Sequence, residues 1–527
     1  MAKRRNKAKP EIPEFFKNPG KLLKRFEFAQ KRKRLWEDQM EQCYAYALPH
    51  REHFNGETRG GRKNVHIYDS TAVDAVQRFK SRLEANLTPP WRRWAKFTPG
   101  TNTKKEDREA KQLNEQLDEA TEITFNYLNH SNFDVEISES YSDLAVSTGA
   151  IRCEYEVKEG DLKLIFTAAP LGELVLEEGP NGTIETVWRQ VKIPLRNAER
   201  TWKGAKLPKI LQDLIDKGKG DEEHIFVEGV IYDPETDRYY GVAIEKDKKL
   251  LIWQEIYEIG PWIVFRWAVK PGEIYGRGPV MAVLPAILTA NKVVEFTLRN
   301  AALAVAGVYT STDSEVINPF TAQITPSMVI PVRSNDSTNP TLRPLDRVGD
   351  FNVSELVLDN LREEIRRGLL NSLRKADGPV KSATEIAIDH IELVQDIGSA
   401  FGRLQTECMA KLFKRVTHIL VKEGKLPDIR IDGKDVDLVY TSPLARAQDK
   451  EDVLMVQQTL ESVGALGMEV AAMSIKIEDI PGYIAKKTGF PAELLREEGE
   501  KEILKDKVQE ALAQMIAAQQ AQQGAQA

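Results

Sequence analysis

The chain has 527 residues, with 74 Lys and Arg against 80 Asp and Glu and a net charge of −6. Its 41% hydrophobic and 29% charged content is that of a folded protein with several cores, three or four at about 150 residues per domain. So mild a net charge excludes whole-chain capture by nucleic acid or membrane; a DNA contact has to come from local patches, or from geometry that forces DNA close to the protein.

Residues Met1 to Arg34 are basic and end in Lys31-Arg32-Lys33-Arg34. The opening MAKRRNKAKPEIPEFF has no apolar run and does not read as a secretory signal. The arm reads as frayed chain leading into an exposed helix, or as a DNA or partner contact. Leu35 to Ala47 reads helical and stops before Pro49. A helix is expected from Ser70 to Leu87, capped by Asp69 or Ser70, with Ala72, Val76, Phe79 and Leu83 on one face. Prolines force TPPWRRWAKFTPG into extended structure. Further helices are expected at Lys105 to Asn129 and Asp134 to Thr148, the second amphipathic and closed by Gly149. From about 150 to 269 the pattern changes to short strands with turn signals such as Asn181-Gly182, interrupted by a helix at Ile210 to Asp216.

Between Gly278 and Leu373 the chain reads helix, β-rich insert, helix. The first helix ends near Ala306 and the second runs from Asn352 to Leu373, matched lengths that suggest an antiparallel pair. The insert, Gly307 to Asp350, is too long for a tight hairpin and should be an element of its own. The most apolar window, Val280 to Val305, holds Pro285, Lys292, Glu295 and Arg299 and reads as too polar and broken for a membrane span. Lys292, Glu295 and Arg299 share one face of the first helix; Glu363 and Arg367 form an i,i+4 pair on the second, beside a stripe of Leu358, Leu361, Ile365 and Leu369. This charge is either a solvated face with local pairs or a face that lines a bore or meets a neighbouring subunit.

Gly378-Pro379 then breaks the helix, and Ser382 with Glu385 fits a capping box for a new helix of about 40 residues. Its stripe is Ile386, His390, Leu393, Ile397, Leu404, Cys408 and Ile419, and nothing stops it before Gly424. Gly398 and Gly402 inside it suggest close packing or a bend. A short strand pair follows, then a mostly helical stretch from Leu444 and a Gln/Ala tail.

The chemical motifs are weak. No phosphate-cradling loop is present. Three separated cysteines, Cys43, Cys153 and Cys408, argue against a disulfide framework and for a reducing, intracellular setting. Asp143, Glu154, Glu156 and Lys158 imitate a Mg²⁺-dependent nuclease set, although alternating charge on a strand explains them too. Cys43, His50 and His53 are half a zinc site at most. Asp432, Asp435 and Asp437 lack the order of a calcium loop. Trp91 and Trp94 beside Arg92 and Arg93 would suit base stacking or plain aromatic packing. The expectation is no metal, no cofactor and no catalytic residue.

Five pieces in order, Tyr68-Asp69-Ser70-Thr71-Ala72, Leu87-Thr88-Pro89-Pro90 with Trp94, Tyr275-Gly276-Arg277-Gly278-Pro279, Ala383-Thr384-Glu385-Ile386 and Ser442-Pro443-Leu444-Ala445-Arg446-Ala447-Gln448, resemble the portal (head-to-tail connector) proteins of short-tailed bacteriophages. The resemblance implies a predominantly helical α+β fold with wing, two-helix stem, β-containing clip and helical crown, assembled as a dodecameric ring at one capsid vertex of the virion. It places an N-terminal arm and wing helix at 1–67, wing at 68–277, stem helices at 278–306 and 351–373 with the clip at 307–350, a tunnel loop at 374–381, further wing at 382–443, and crown and tail at 444–527.

The same resemblance puts Arg374, Lys375 and Lys381 near DNA, and Lys292, Glu295 and Arg299 on a channel or inter-subunit face. Its partners would be double-stranded DNA, the terminase large subunit, major capsid and scaffolding proteins, and tail adaptors, with no membrane. A bore must guide DNA without gripping it, which suits a net-acidic ring with sparse cations. Two other readings stand beside it: a metal-dependent DNA-processing enzyme built on Glu154, Glu156 and Lys158, and a monomeric scaffold or tail adaptor.

Overall fold

The structure, a computed structural model, describes residues 12–51, 66–90, 92–100, 107–306, 309–311, 342–344, 351–371, 400–427, 436–441 and 480–488, with scattered single positions at 398 and 453–463. The chain divides into two units. The first comprises Met1–Ala85, Phe97–Val380 and Asp396–Leu438; the second comprises Asn86–Lys96, Lys381–Gln395 and Val439–Ala527.

The first unit is α+β. Helix α1 spans Pro19–Ala47 and begins with the Asn18 side chain accepting from the Lys21 N–H. This corrects the sequence expectation of a frayed arm to Arg34. Leu22, Leu23, Phe26 and Ala29 are buried, so the helix starts sixteen residues earlier because a sheet covers its inner face. Helix α2 (Thr71–Leu87) buries Ala72, Val76, Phe79 and Leu83 as expected, and Asp69 Oδ1 accepts from the Thr71 N–H at 2.8 Å.

Strand β1 (Ala95–Pro99) bears out the second half of the expected extended segment, whereas the first half turns, the Arg92 N–H donating to the Pro89 carbonyl; α3 spans Asp107–Asn129. Helix α4 (Phe133–Val146) is buried through its last seven residues rather than amphipathic. Gly149 is not its cap, because the strand already begins at Thr148. A side chain there would meet the Phe265 ring at 2.5 Å and the Ser140 carbonyl at 2.8 Å.

The β-rich module resolves into two antiparallel sheets. Strands β2 (Thr148–Lys158), β3 (Asp161–Ala168) and β9 (Trp262–Arg266) form a three-stranded sheet in the order β3-β2-β9. Strands β4 (Leu174–Glu178), β5 (Ile184–Pro194), β6 (Glu223–Asp233), β7 (Arg238–Glu245) and β8 (Leu250–Tyr257) form a meander in sequence order. The turn at Asn181-Gly182 joins β4 to β5, with Gly182 at φ 71°, where a glycine avoids the Cβ clash. Helices α5 (Ala198–Thr201) and α6 (Lys209–Leu214) lie between β5 and β6. One face of the meander packs Trp188, Val227, Ile231, Tyr240 and Val242 against α1; the other packs Phe226, Ala243 and Trp253 against Trp202 and Leu211.

Helices α7 (Pro279–Ala306) and α8 (Phe351–Gly368) pack together, and between them β10 (Tyr309–Ser311) pairs antiparallel with β11 (Leu342–Pro344). At 28 and 18 residues the helices are less well matched than expected. Among the described residues α8 ends at Gly368. Leu370 is left-handed (φ 58°), its N–H donates to the Arg367 carbonyl and the Asn371 N–H to the Arg366 carbonyl, a closing motif usually built on glycine. Contrary to the sequence expectation, Pro279–Ala302 is long and apolar enough to cross a membrane; half of the stretch is buried inside the fold, where α1, α4 and α8 cover it.

The expected long helix is described only from residue 398. A π-turn at Gln405–Met409 leads into α9 (Ala410–Lys422), which ends before Gly424 at φ 71°. Leu404, Cys408 and Ile419 are buried as the stripe required. Gly402 faces open space, so it is not a close packing point, whereas Gly398 (φ 31°) departs from helical geometry.

In the second unit, Thr441 binds the Trp94 carbonyl through its N–H at 2.8 Å and the Arg93 carbonyl through its hydroxyl at 3.1 Å. Strand β12 (Val436–Tyr440), whose residues 436–438 belong to the first unit, supplies the second half of the expected strand pair; the first half lies outside the described residues. Helix α10 spans Ile480–Thr488.

Candidate functional site

The site is the paired helices α7 and α8 and the base that holds them. Asp69 precedes α2, and its Oδ2 accepts from Arg362 of α8 at 2.8 Å. Asn291 of α7 accepts from the backbone N–H groups of Tyr68 and Asp69 and donates to the His66 carbonyl. Burial pushes the Asp69 carboxyl up, but the hydrogen bonds from Thr71 and Arg362 outweigh it and hold it below its usual value.

Gly368, at the end of α8, lies against Val283 near the start of α7. Val283 meeting Gly368, and Asn291 meeting Arg362 through Asp69, fixes the helices as antiparallel. Asn371 donates to the Ala75 carbonyl, and Arg82 to the Leu370 carbonyl, so α2 clamps the end of α8.

The start of α7 explains the run Tyr275-Gly276-Arg277-Gly278-Pro279. The Tyr275 hydroxyl accepts from the Leu176 N–H, the Gly276 N–H donates to Thr148 Oγ1, and the Gly276 carbonyl accepts from the Ser147 hydroxyl. The Gly278 N–H donates to the Val146 carbonyl. Both glycines approach the end of α4 so closely that a Cβ at either would strike backbone oxygens. Pro279 then opens α7 at the position where its missing N–H costs nothing.

Of the charged face expected on α7, all three residues come together. Glu295 accepts from Lys292 at 2.9 Å and pairs with Arg299 one turn on. The Lys292 hydrogen bond holds the Glu295 carboxyl below its usual value. Glu295 is 10% exposed at its side chain, whereas Lys292 and Arg299 are 57% and 65% exposed. Together with Tyr46, His66, Tyr68 and Phe296 they line an open groove of about 810 Å³. Phe296, Leu298, Leu356 and Val357 are exposed apolar side chains on the two helices. Glu363 and Arg367 pair on α8 as their spacing required; of the expected stripe, Ile365 and Leu369 are buried and Leu358 and Leu361 are half-buried. Arg374, Lys375 and Lys381 lie outside the described residues, as do most of 307–350 and the tail.

The nuclease-like set is not brought together. Asp143 is buried, accepting from the Tyr44 hydroxyl at 2.7 Å and from Arg51 at 2.8 Å. Glu154 is bound by Arg152 and the Tyr257 hydroxyl, and Glu156 by Lys158 and Lys203. Among the described residues no group of three or more His, Cys, Asp and Glu could hold a metal ion. Cys43 is buried, its thiol pushed up to about 12 by desolvation; His53 lies outside the described residues. Trp94 is buried, which turns it away from base stacking, and Trp91 is not described.

Sequence reasoning missed the Asp69–Arg362 and Asn291 contacts, because 293 and 222 residues separate the partners. The one available signal was Asp69 within the Tyr68-to-Ala72 piece.

Two comparisons bear on this geometry. Residues 20–495 match the family model described as bacteriophage head to tail connecting protein. A probable portal protein of Bordetella phage BPP-1 is 22% identical over 475 residues, covering 84% of this chain and 82% of the relative.

Proposed function

Because this chain belongs to the bacteriophage head-to-tail connecting protein family, we propose that it acts as a portal, the ring through which double-stranded DNA enters the capsid and later leaves it. The observation that carries this reading is the α7–α8 pair. Two antiparallel helices are pinned at their base by Asp69, Asn291 and Arg362 and expose Phe296, Leu298, Leu356 and Val357. Exposed apolar side chains on a rigid strut call for a neighbour. A repeated head-to-tail contact that closes on itself supplies one for every copy.

In this reading twelve copies form the ring at one capsid vertex of the virion, after assembly in the host cytoplasm. α7 and α8 are the stem, with Lys292, Glu295 and Arg299 facing the channel or the next subunit. Residues 307–350 form the clip, where the terminase large subunit docks first and a tail adaptor later. The 68–277 and 382–443 segments form the wing, which meets capsid and scaffolding proteins together with the arm at 1–67, and 444–527 form the crown and tail. The loop 374–381 brings Arg374, Lys375 and Lys381 to the DNA. The chain guides DNA without a cofactor or catalytic residue of its own, and the motor is a separate protein.

Electron micrographs of the purified protein in EDTA test the assembly. Rings with a central hole are expected; monomers under chelation would count against it. Neutralising Arg374, Lys375 and Lys381 to Gln, with rings intact, should change packaged DNA length or its retention across salt concentrations. Unchanged packaging at every salt concentration would remove the loop from the DNA path.

A further inference from the structure

Helix α1 sorts the basic N-terminal run onto opposite faces. Lys33 points inward, 1% exposed, and donates to the carbonyls of Leu171 and Gly172. Arg25 is drawn sideways to Glu177. Lys21, Lys24, Lys31 and Arg32 are exposed and share one face, an arc of about 100° at 3.6 residues per turn, over roughly 17 Å of axis. None of the four is in an ion pair among the described residues. The exposed acids Glu27 and Asp38 stand at the margin of this face, as does Arg34.

The charge of the region is out of proportion to the rest of the chain. Residues 1–35 hold 13 Lys and Arg against three Glu, a net +10, which leaves −16 on the remaining residues. Phe28 (61% exposed) interrupts the stripe, and Leu35 (85%) lies just beyond its end. They stand about 10 Å apart along the axis, with Lys31 and Arg32 between them. A protein-docking surface would need a contiguous apolar centre, which this spacing does not provide. The Arg32 guanidinium lies over the Phe28 ring at 4.9 Å, which orients it while leaving its N–H groups free for an anion.

We propose that this face of α1 binds the phosphate backbone of duplex DNA outside any channel, independent of sequence. The proposal rests on the portal reading only for the presence of DNA nearby. A duplex carries one charge per about 1.7 Å of axis, both strands counted, so the length beside the roughly 17 Å stripe holds about ten phosphates, more than four cations can contact. Lysines without fixed acceptors suit backbone contact rather than base readout.

Covalently closed circular duplex DNA tests it, because a closed circle cannot be threaded through a preformed ring. Binding of the full-length protein is measured across salt concentrations for wild type and for Lys21→Gln, Lys24→Gln, Lys31→Gln, Arg32→Gln combined. Residues 1–11 are the same in both proteins, so the difference reports α1. The variant should bind at least about tenfold more weakly, and its log–log salt slope should fall by about 0.9 for each lost phosphate contact, up to about 3.6. Equal affinity and slope, or no wild-type binding to the circle, overturns the proposal. So does a result in which polyglutamate binding, but not DNA binding, depends on the four residues, which would make the face an acidic-protein site. An unchanged thermal midpoint separates lost contact from lost fold. Micrographs without rings would sink the portal reading and leave this measurement standing.

Discussion

Arg266 and Glu407 stand 141 residues apart and meet at 2.7 Å between Nη2 and Oε1. Glu407 Oε2 also accepts from Arg266 Nε and from its backbone N–H, while the guanidinium donates to the carbonyls of Ile274 and Gly182. Arg266 is 2% exposed at its side chain, and Glu407 lies in the π-turn before α9. This contact anchors the π-turn and α9 to the edge strand of the three-stranded sheet.

Glu407→Gln should therefore be among the most destabilising single changes in the first unit. It leaves a buried guanidinium uncompensated, a loss of about 3–5 kcal/mol. The thermal midpoint should drop markedly, while Glu363→Gln, in an exposed pair on α8, should leave it nearly unchanged. Equal midpoints for the two variants would contradict the assignment.

Lys33 should make stability rise at alkaline pH. Burial lowers its value from 10.5 to about 8 against the smaller opposing pull of Glu37 and Glu173. Between about pH 8 and 10.5 the unfolded chain holds a proton that the folded one lacks, so stability rises through that window, by up to about 3 kcal/mol, and is flat below it. The neutral amine still donates to Leu171 and Gly172. Measured against Lys33→Met, wild type should gain stability from pH 8 to 10; parallel curves would refute the shift.

Asp69→Asn should loosen the base of the helix pair. Arg362 is a third exposed, so solvent screens part of the loss, which should be about 1–3 kcal/mol. Because the folded carboxyl lies below its ordinary 3.8, its contribution is complete above that value and disappears as pH falls through the folded value. Hydrogen exchange at residues 355–371 should quicken in the variant. Protection identical to wild type would show that Asp69 does not hold α8.

Glu295→Gln should spare the fold and weaken assembly. It removes the carboxylate that Lys292 and Arg299 share and leaves two exposed cations about two turns apart. Sedimentation should show fewer rings at an unchanged far-UV spectrum. Undiminished rings would place this face in solvent rather than against a neighbour.

Gly278→Ala should prevent the close approach of α7 to α4, since its Cβ would overlap the Ala145 carbonyl oxygen and the Val146 backbone. Soluble expression should fall sharply. Gly272→Ala is the control, with open space around it and only the cost of its positive φ.

Elements whose cause is local were legible along the chain. The 4, 3, 4 spacing from Ala72 to Leu83 made α2 a helix with a buried face, and alternation with turn residues marked out the β-rich module. Proline and glycine placed the start of α7, and the i,i+4 spacing paired Glu363 with Arg367. Five ordered pieces sufficed for the family. The remaining features depend on contacts between distant parts of the chain. α1 begins at Pro19 because the five-stranded sheet covers Leu22, Leu23 and Phe26, and no local pattern announces a distant sheet. Lys33 turns inward among outward cations for the same reason. Asp143, Glu154 and Glu156 resemble a metal site along the chain, yet folding gives each its own cationic partner, because a carboxylate near guanidinium and ammonium groups is stabilised there without a metal. Pairing between residues hundreds of positions apart leaves no periodic trace in the sequence; it follows from which surfaces the fold brings within hydrogen-bonding distance.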